Sequence, residues 1–174
     1  MSASVARVFA ARAGARLPRA APALAAAAGR RFITIQPLYT AEVTATGGRN
    51  GRATSSNGAL DVELTFPKAL GGPGVAGRTD PEQLFAAAYA ACFQGAMGLV
   101  ATGLGVKLPE SNTVTAVVGI GKHPEGAFGL TVELRVSVPD LDKATVQKVV
   151  DQAHGVCPYS RATRGNVDVK LVVV

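Results

Sequence analysis

Tryptophan is missing from this chain, cysteine, histidine and methionine occur only twice each, and aromatic residues make up 5% of its 174 positions. Two cysteines are too few for the disulfide framework of a small secreted scaffold, so an ordinary apolar core has to hold the fold. Two histidines and two cysteines set far apart give no zinc-ligand pattern, and no bound metal or cofactor is expected. A Walker loop, a dinucleotide-binding glycine fingerprint and a nucleophile elbow are absent as well. Gly71-Gly72-Pro73-Gly74 is glycine-rich without any of these contexts and reads as a flexible loop.

Acidic residues are absent through Thr40, where six arginines occur (Arg7, Arg12, Arg16, Arg19, Arg30, Arg31) and no lysine. An Arg-rich, Ala-rich, acid-free segment over 1–31 has the composition of a cleaved organelle transit peptide. A secretory signal is the competing reading, against which arginine recurs on both sides of the apolar run 20–29 rather than only ahead of it. The expected organisation is a mitochondrial leader over 1–31, then one domain over 32–174 acting in the matrix. Removing those six from the 18 basic residues leaves 12, against 12 Asp plus Glu, so the domain is formally neutral. Nucleic-acid binding, which needs clustered basic charge on the folded body, is therefore not expected.

Alternation of apolar residues marks strands at Leu38–Ala45, Ala59–Phe66, Thr113–Gly121, Phe128–Val138 and Val167–Val173. The glycines of 46–52 read as a tight turn and 121–127 as a hairpin loop. A first helix opens at Asp80-Pro81, with Asp80 as cap and Pro81 at the first helical position, and runs to about Gly103. No formal charge lies between Glu82 and Lys107, a length that raises a membrane span. Gln83, Gln94, Thr102 and the neighbouring amphipathic strands point instead to a helix buried all round, in the core or against a second subunit. A second helix near Leu141–Gly155 turns Val146, Val149, Val150 and Ala153 inward, and Pro158 limits it. The plan is α+β, with strands and helices segregated.

Cys92 lies about three turns into the apolar helix and Cys157 at the end of the second, 157 − 92 = 65 positions apart. A thiol in an apolar site loses reactivity because burial disfavours the thiolate. The helix dipole fades within one turn and cannot restore it. A nucleophilic Cys92 needs a cation from elsewhere, and Arg49, Arg52, Arg161 and Arg164 all lie in loop-like segments. Cys157, beside Pro158, is expected to be less buried and more mobile than Cys92, as suits a thiol that resolves a sulfenic acid. His154, three residues before Cys157, leaves a Cys–His hydrolase open, and an inert apolar-ligand binder in which Cys92 is merely core is the non-enzymatic alternative.

Five stretches taken in order resemble the organic hydroperoxide resistance family, within the wider OsmC/Ohr superfamily that includes osmotically inducible bacterial proteins. They are Leu38-Tyr39-Thr40-Ala41, Ala45 to Arg49, Pro81 to Ala87, Ala91-Cys92-Phe93, and Cys157-Pro158-Tyr159-Ser160 with Ala162 to Asn166. The resemblance implies an intertwined homodimer with antiparallel sheets, long central helices and both active sites at the interface. It implies reduction of alkyl and fatty-acid hydroperoxides to alcohols, with Cys92 peroxidatic and Cys157 resolving. Arg49 becomes the cation on the Cys92 thiolate and Glu82 the carboxylate that holds Arg49. An external dithiol, such as dihydrolipoyl groups on dehydrogenase-complex proteins, is the implied reductant. The apolar run with Phe85, Tyr89 and Phe93 suits a greasy substrate. Ala90 departs from the family's usual serine, removing a hydrogen bond expected near the thiol. The competing reading within the superfamily is a non-catalytic, osmotic-stress-type apolar-ligand binding dimer.

Overall fold

The computed structural model describes residues 35–174, so the expected leader over 1–31 lies outside the described residues. Contacts divide the chain between Tyr39 and Thr40, and every element below belongs to the unit Thr40–Val174. Three short strands, β1 (Val43–Thr46), β2 (Arg52–Ser55) and β3 (Asp61–Glu63), form an antiparallel sheet in that order. A second sheet has the order β4 (Thr113–Lys122), β5 (Phe128–Ser137), β6 (Val169–Val173). Three helices complete the fold: α1 (Pro81–Gly103), α2 (Lys143–Val156) and α3 (Pro158–Thr163).

Sequence expectations hold for most of these elements. Asp80 caps α1 by accepting from the Gln83 N–H at 2.9 Å, and Asp142 caps α2 by accepting from the Thr145 N–H at 2.9 Å. Val146, Val149, Val150 and Ala153 of α2 are all buried. Three corrections follow. β5 and β6 pair in parallel, because α2 and α3 intervene and a helical crossover returns the chain in the same direction. β2 is a strand that the sequence pattern does not mark: only Arg52 falls in the expected turn over 46–52, and with only Ala53 buried the strand carries little apolar signal, yet it pairs with both β1 and β3. α1 is not buried all round within one chain.

That helix has the length and apolarity of a membrane span. One side of it enters the core: Tyr89, Phe93, Ala96, Met97 and Ala101 pack with Val132, Leu134 and Val136 of β5 and the inner face of α2. The opposite side leaves Ala87, Ala91, Gly95 and Leu99 exposed at every fourth position, with Leu99 71% accessible. Phe93 is wholly enclosed, so Phe93→Ala removes a full ring from close-packed surroundings. Stability is expected to fall by about 3–5 kcal/mol, read as the shift in a urea unfolding curve at fixed protein concentration. A loss under about 1 kcal/mol would mean that the core closes over the gap.

Candidate functional site: a thiol pair and a clamped guanidinium

The loop that carries Arg49 is shaped by glycine. Gly47 adopts φ 71°, in the left-handed region, and a Cβ on Gly51 would fall onto the carbonyl oxygen of Thr46. Asn50 Oδ1 accepts from the Phe66 N–H at 2.8 Å, tying the loop to the segment after β3. Leu64 N–H donates to the Gly51 carbonyl, and Thr65 N–H donates to the Thr79 carbonyl, both at 2.8 Å. These bonds carry the Arg49 loop to the first turn of α1. There Nη1 donates to Glu82 Oε2 at 2.8 Å and Nη2 to Oε1 at 2.7 Å, a two-pronged clamp. The guanidinium also lies 5.7 Å from the centre of the Phe66 ring. Hydrogen bonding to Arg49 holds the Glu82 carboxyl below its ordinary value, against the opposing effect of burial. The clamp is therefore intact at neutral pH and released only as pH falls below the usual carboxylate range.

The two cysteines, distant in sequence, meet where α1 crosses the junction of α2 and α3. Cys157 Sγ lies 3.5 Å from Cys92 Sγ, and both are free thiols. The burial expected from the sequence is reversed. Cys157 is fully enclosed and Cys92 only half-buried, because Cys157 ends α2 and caps α3 with its side chain turned into the core. Burial is the largest influence on the Cys92 thiol and pushes it up, the Tyr159 backbone N–H pulls it down, and Cys157 raises it again.

No guanidinium figures among those influences. Arg49 is held by Glu82, Arg52 pairs with Asp61 through two 2.6 Å bonds, and Arg164 Nη2 donates to the His154 carbonyl at 2.7 Å. Arg161 is exposed. Glu82 and Cys92 are ten residues apart on one helix, about 15 Å of axial rise. Within one chain the clamp and the thiol pair therefore lie apart, at different levels of α1.

The ring of His154 makes no hydrogen bond to Cys157, and its buried Nδ1 has no partner among the described residues. Burial first, and then Arg164, hold its pKa down. The Cys–His arrangement of a hydrolase is not assembled. Of the three aromatics expected to face substrate, Tyr89 and Phe93 are fully enclosed in the core. Phe85 instead lines a hollow of about 350 Å³ with Arg49, Glu82, Ile120, Phe128 and Leu130. Ile120, Phe128 and Leu130 were not singled out from the sequence, since each reads there as an ordinary strand residue.

A family model described as OsmC-like protein matches residues 72–172. Over 136 residues the chain is 60% identical to an organic hydroperoxide resistance protein of Xanthomonas axonopodis pv. citri, covering 78% of this chain and 94% of that protein. It is 48% identical over 134 residues to the organic hydroperoxide resistance protein OhrB of Bacillus subtilis, covering 77% of this chain and 96% of the relative. The crystal structure of that OhrB aligns with a TM-score of 0.72 and 45% identity, covering 79% of this chain and 100% of the other. A crystal structure of an organic hydroperoxide resistance protein from Legionella pneumophila gives 0.74 and 46%, covering 79% and 98%. On these likenesses the chain belongs to the organic hydroperoxide resistance family of OsmC-like proteins.

Proposed function

We propose that this protein is a thiol peroxidase that reduces organic hydroperoxides to alcohols and is recycled by an external dithiol. The observation that carries this is the 3.5 Å approach of the Cys92 and Cys157 sulfurs from separate helices. The Cys92 thiolate attacks the distal oxygen of the hydroperoxide, the O–O bond breaks, and the alkoxide leaves as alcohol after taking a proton. Cys92 is then a sulfenic acid. Cys157 displaces its hydroxyl as water, giving a disulfide, and two thiols of the external reductant restore the pair while becoming a disulfide themselves.

A buried thiol that is pushed up needs a cation, and its own chain's Arg49 is committed about 15 Å along the helix. A homodimer resolves this. The uncovered stripe Ala87, Ala91, Gly95 and Leu99 offers a surface for a second copy, with the first three residues small enough for close approach of helices and Leu99 as apolar area to cover. In such a dimer the Arg49–Glu82 clamp of one subunit faces the thiol pair of its partner, stabilising the thiolate and the charge developing on the peroxide oxygens. The apolar hollow beside Arg49 then receives the organic part of the substrate. No metal or bound cofactor enters this scheme. A mitochondrial matrix location, with lipoylated dehydrogenase-complex proteins as the dithiol source, rests on the composition of 1–31; the relatives compared above are bacterial.

Dihydrolipoamide-dependent turnover tests the reading, with t-butyl hydroperoxide, a fatty-acid hydroperoxide and hydrogen peroxide compared at equal concentration. Both organic substrates are expected to exceed hydrogen peroxide in kcat/KM by about tenfold to a hundredfold, the discrimination an apolar pocket can supply. Preference for hydrogen peroxide would overturn the substrate class. A second reading is favoured by the raised Cys92 thiol: a non-catalytic dimer that binds apolar ligands. Complete absence of dithiol-dependent turnover with every substrate would leave that reading standing instead.

A further inference from the structure

The sulfur contact has a parallel neighbour. Tyr89 lies three residues before Cys92 on α1, and Ser160 three residues after Cys157, in α3. The Tyr89 hydroxyl donates to Ser160 Oγ at 3.0 Å and lies 3.3 Å from Thr163 Oγ1. Thr163 Oγ1 donates in turn to the carbonyls of Tyr159 at 3.0 Å and Ser160 at 3.2 Å. Tyr89 and Ser160 are fully enclosed and Thr163 is 6% exposed. Residues three apart share a helix face, so α1 and α3 are joined by two rungs, one of sulfur and one of oxygen. Among the described residues these hydroxyls make the side-chain hydrogen bonds between α1 and α3 other than the thiol contact itself.

We infer that the Tyr89–Ser160–Thr163 hydroxyl cluster is a positioning device that holds Cys157 within reach of Cys92, and so sets the rate of disulfide closure. The inference rests on the peroxidase reading for its oxidant, an organic hydroperoxide, but not for its geometry. Closure forms the S–S bond and breaks the S–O bond of the Cys92 sulfenic acid, and hydroxyl leaves as water with the Cys157 proton. The sulfurs must shorten their 3.5 Å separation to a bond of about 2.05 Å. α3 is only six residues long, so its own ladder holds it weakly, and a hydrogen bond buried from water is a strong local restraint. The Tyr89 ring is itself fixed, with the Phe85 ring edge-on at 5.9 Å and the Tyr159 ring at 5.7 Å. The hydroxyl is thereby aimed at α3.

Tyr89→Phe keeps the ring and removes only the oxygen rung. In a single-turnover experiment with t-butyl hydroperoxide, acid-quenched samples are resolved by intact mass into thiol, sulfenic acid, disulfide and sulfinic acid. Loss of the Cys92 thiol is expected to change less than about twofold, while disulfide appears about tenfold more slowly, since reacting groups lose rate steeply when misplaced. Sulfinic Cys92 accumulates in the interval when hydroperoxide is in excess. Ser160→Ala breaks one of the two Tyr89 contacts from the other side and is expected to slow closure by no more than Tyr89→Phe does. The double variant is expected to be no slower than Tyr89→Phe alone, since that change already removes every contact of the hydroxyl. A second arm uses diamide, which closes a dithiol without peroxidase chemistry, and the same slowing is expected there. If hydroperoxide leaves the wild-type thiols untouched but diamide closure slows in both variants, the peroxidase reading falls and the positioning role stands. Closure at the wild-type rate in whichever variants fold would overturn the positioning role, as would equal slowing of both phases.

Discussion

Cys92→Ser is expected to abolish hydroperoxide turnover, a fall of about 10⁴-fold or more, because a hydroxyl at this position is neither ionised nor able to accept the peroxide oxygen. The companion change separates the two thiols by role. Cys157→Ser leaves the attacking sulfur and its surroundings in place but removes the group that closes the disulfide. One equivalent of hydroperoxide is then consumed per Cys92, and the sulfenic acid persists. With excess hydroperoxide it advances to sulfinic acid, which the dithiol cannot reverse. Mass spectrometry after one turnover, with a trap for sulfenic acid, distinguishes the outcomes. Steady turnover by both variants would remove the thiol pair from the mechanism. Steady turnover by Cys157→Ser alone would mean that the external dithiol attacks the Cys92 sulfenic acid directly.

What the sequence disclosed about this pair, and what it hid, has a physical cause. α2, β4 and β5 were legible because each carries a periodic apolar signal with caps or turns at its ends, and α1 because Asp80-Pro81 opens a long apolar run without charge. α2 is the clearest case: four inward residues were expected and all four are buried. α3 was not legible, since Pro158 reads as the end of α2 and also serves as the first residue of a new helix. That double reading reversed the expected exposure of the cysteines. A thiol beside a proline at a helix end looks mobile, yet a second helix starting there seals Cys157 into the core. No local pattern can bring positions 65 apart to 3.5 Å, because that approach depends on how α1 crosses the α2–α3 junction. The Arg49–Glu82 clamp was equally invisible to spacing, with four arginines open as candidates, and it was the family resemblance that paired those two. Spacing gave no hint that the clamp and the thiol pair lie about 15 Å apart along one helix, whereas the resemblance, which implies active sites at a subunit interface, pointed that way.

That separation yields the other large effect. Arg49→Ala is expected to lower kcat/KM by about 10²–10³-fold, the usual cost of removing one charge-stabilising donor from a site shielded from water. Thiolate-selective alkylation of Cys92 at about pH 6 should slow in parallel, because the thiol then keeps only the Tyr159 N–H against the upward pressure of burial. The decisive arm combines two inactive proteins. Co-expression of Arg49→Ala and Cys92→Ser chains gives mixed dimers in which one site joins an intact Arg49 of one subunit to an intact Cys92 of the other. With random pairing, half of the dimers are mixed and each carries one complete site of two, so about a quarter of wild-type turnover is expected to return. Differently tagged chains, purified through both tags in sequence, raise this to about half, since every dimer is then mixed. If each subunit instead used its own Arg49, the mixed dimer would hold one site lacking the cation and one lacking the nucleophile, and no activity would return. Recovery therefore reads directly whether the guanidinium crosses the subunit boundary, and it does so against a background that either variant alone leaves near zero.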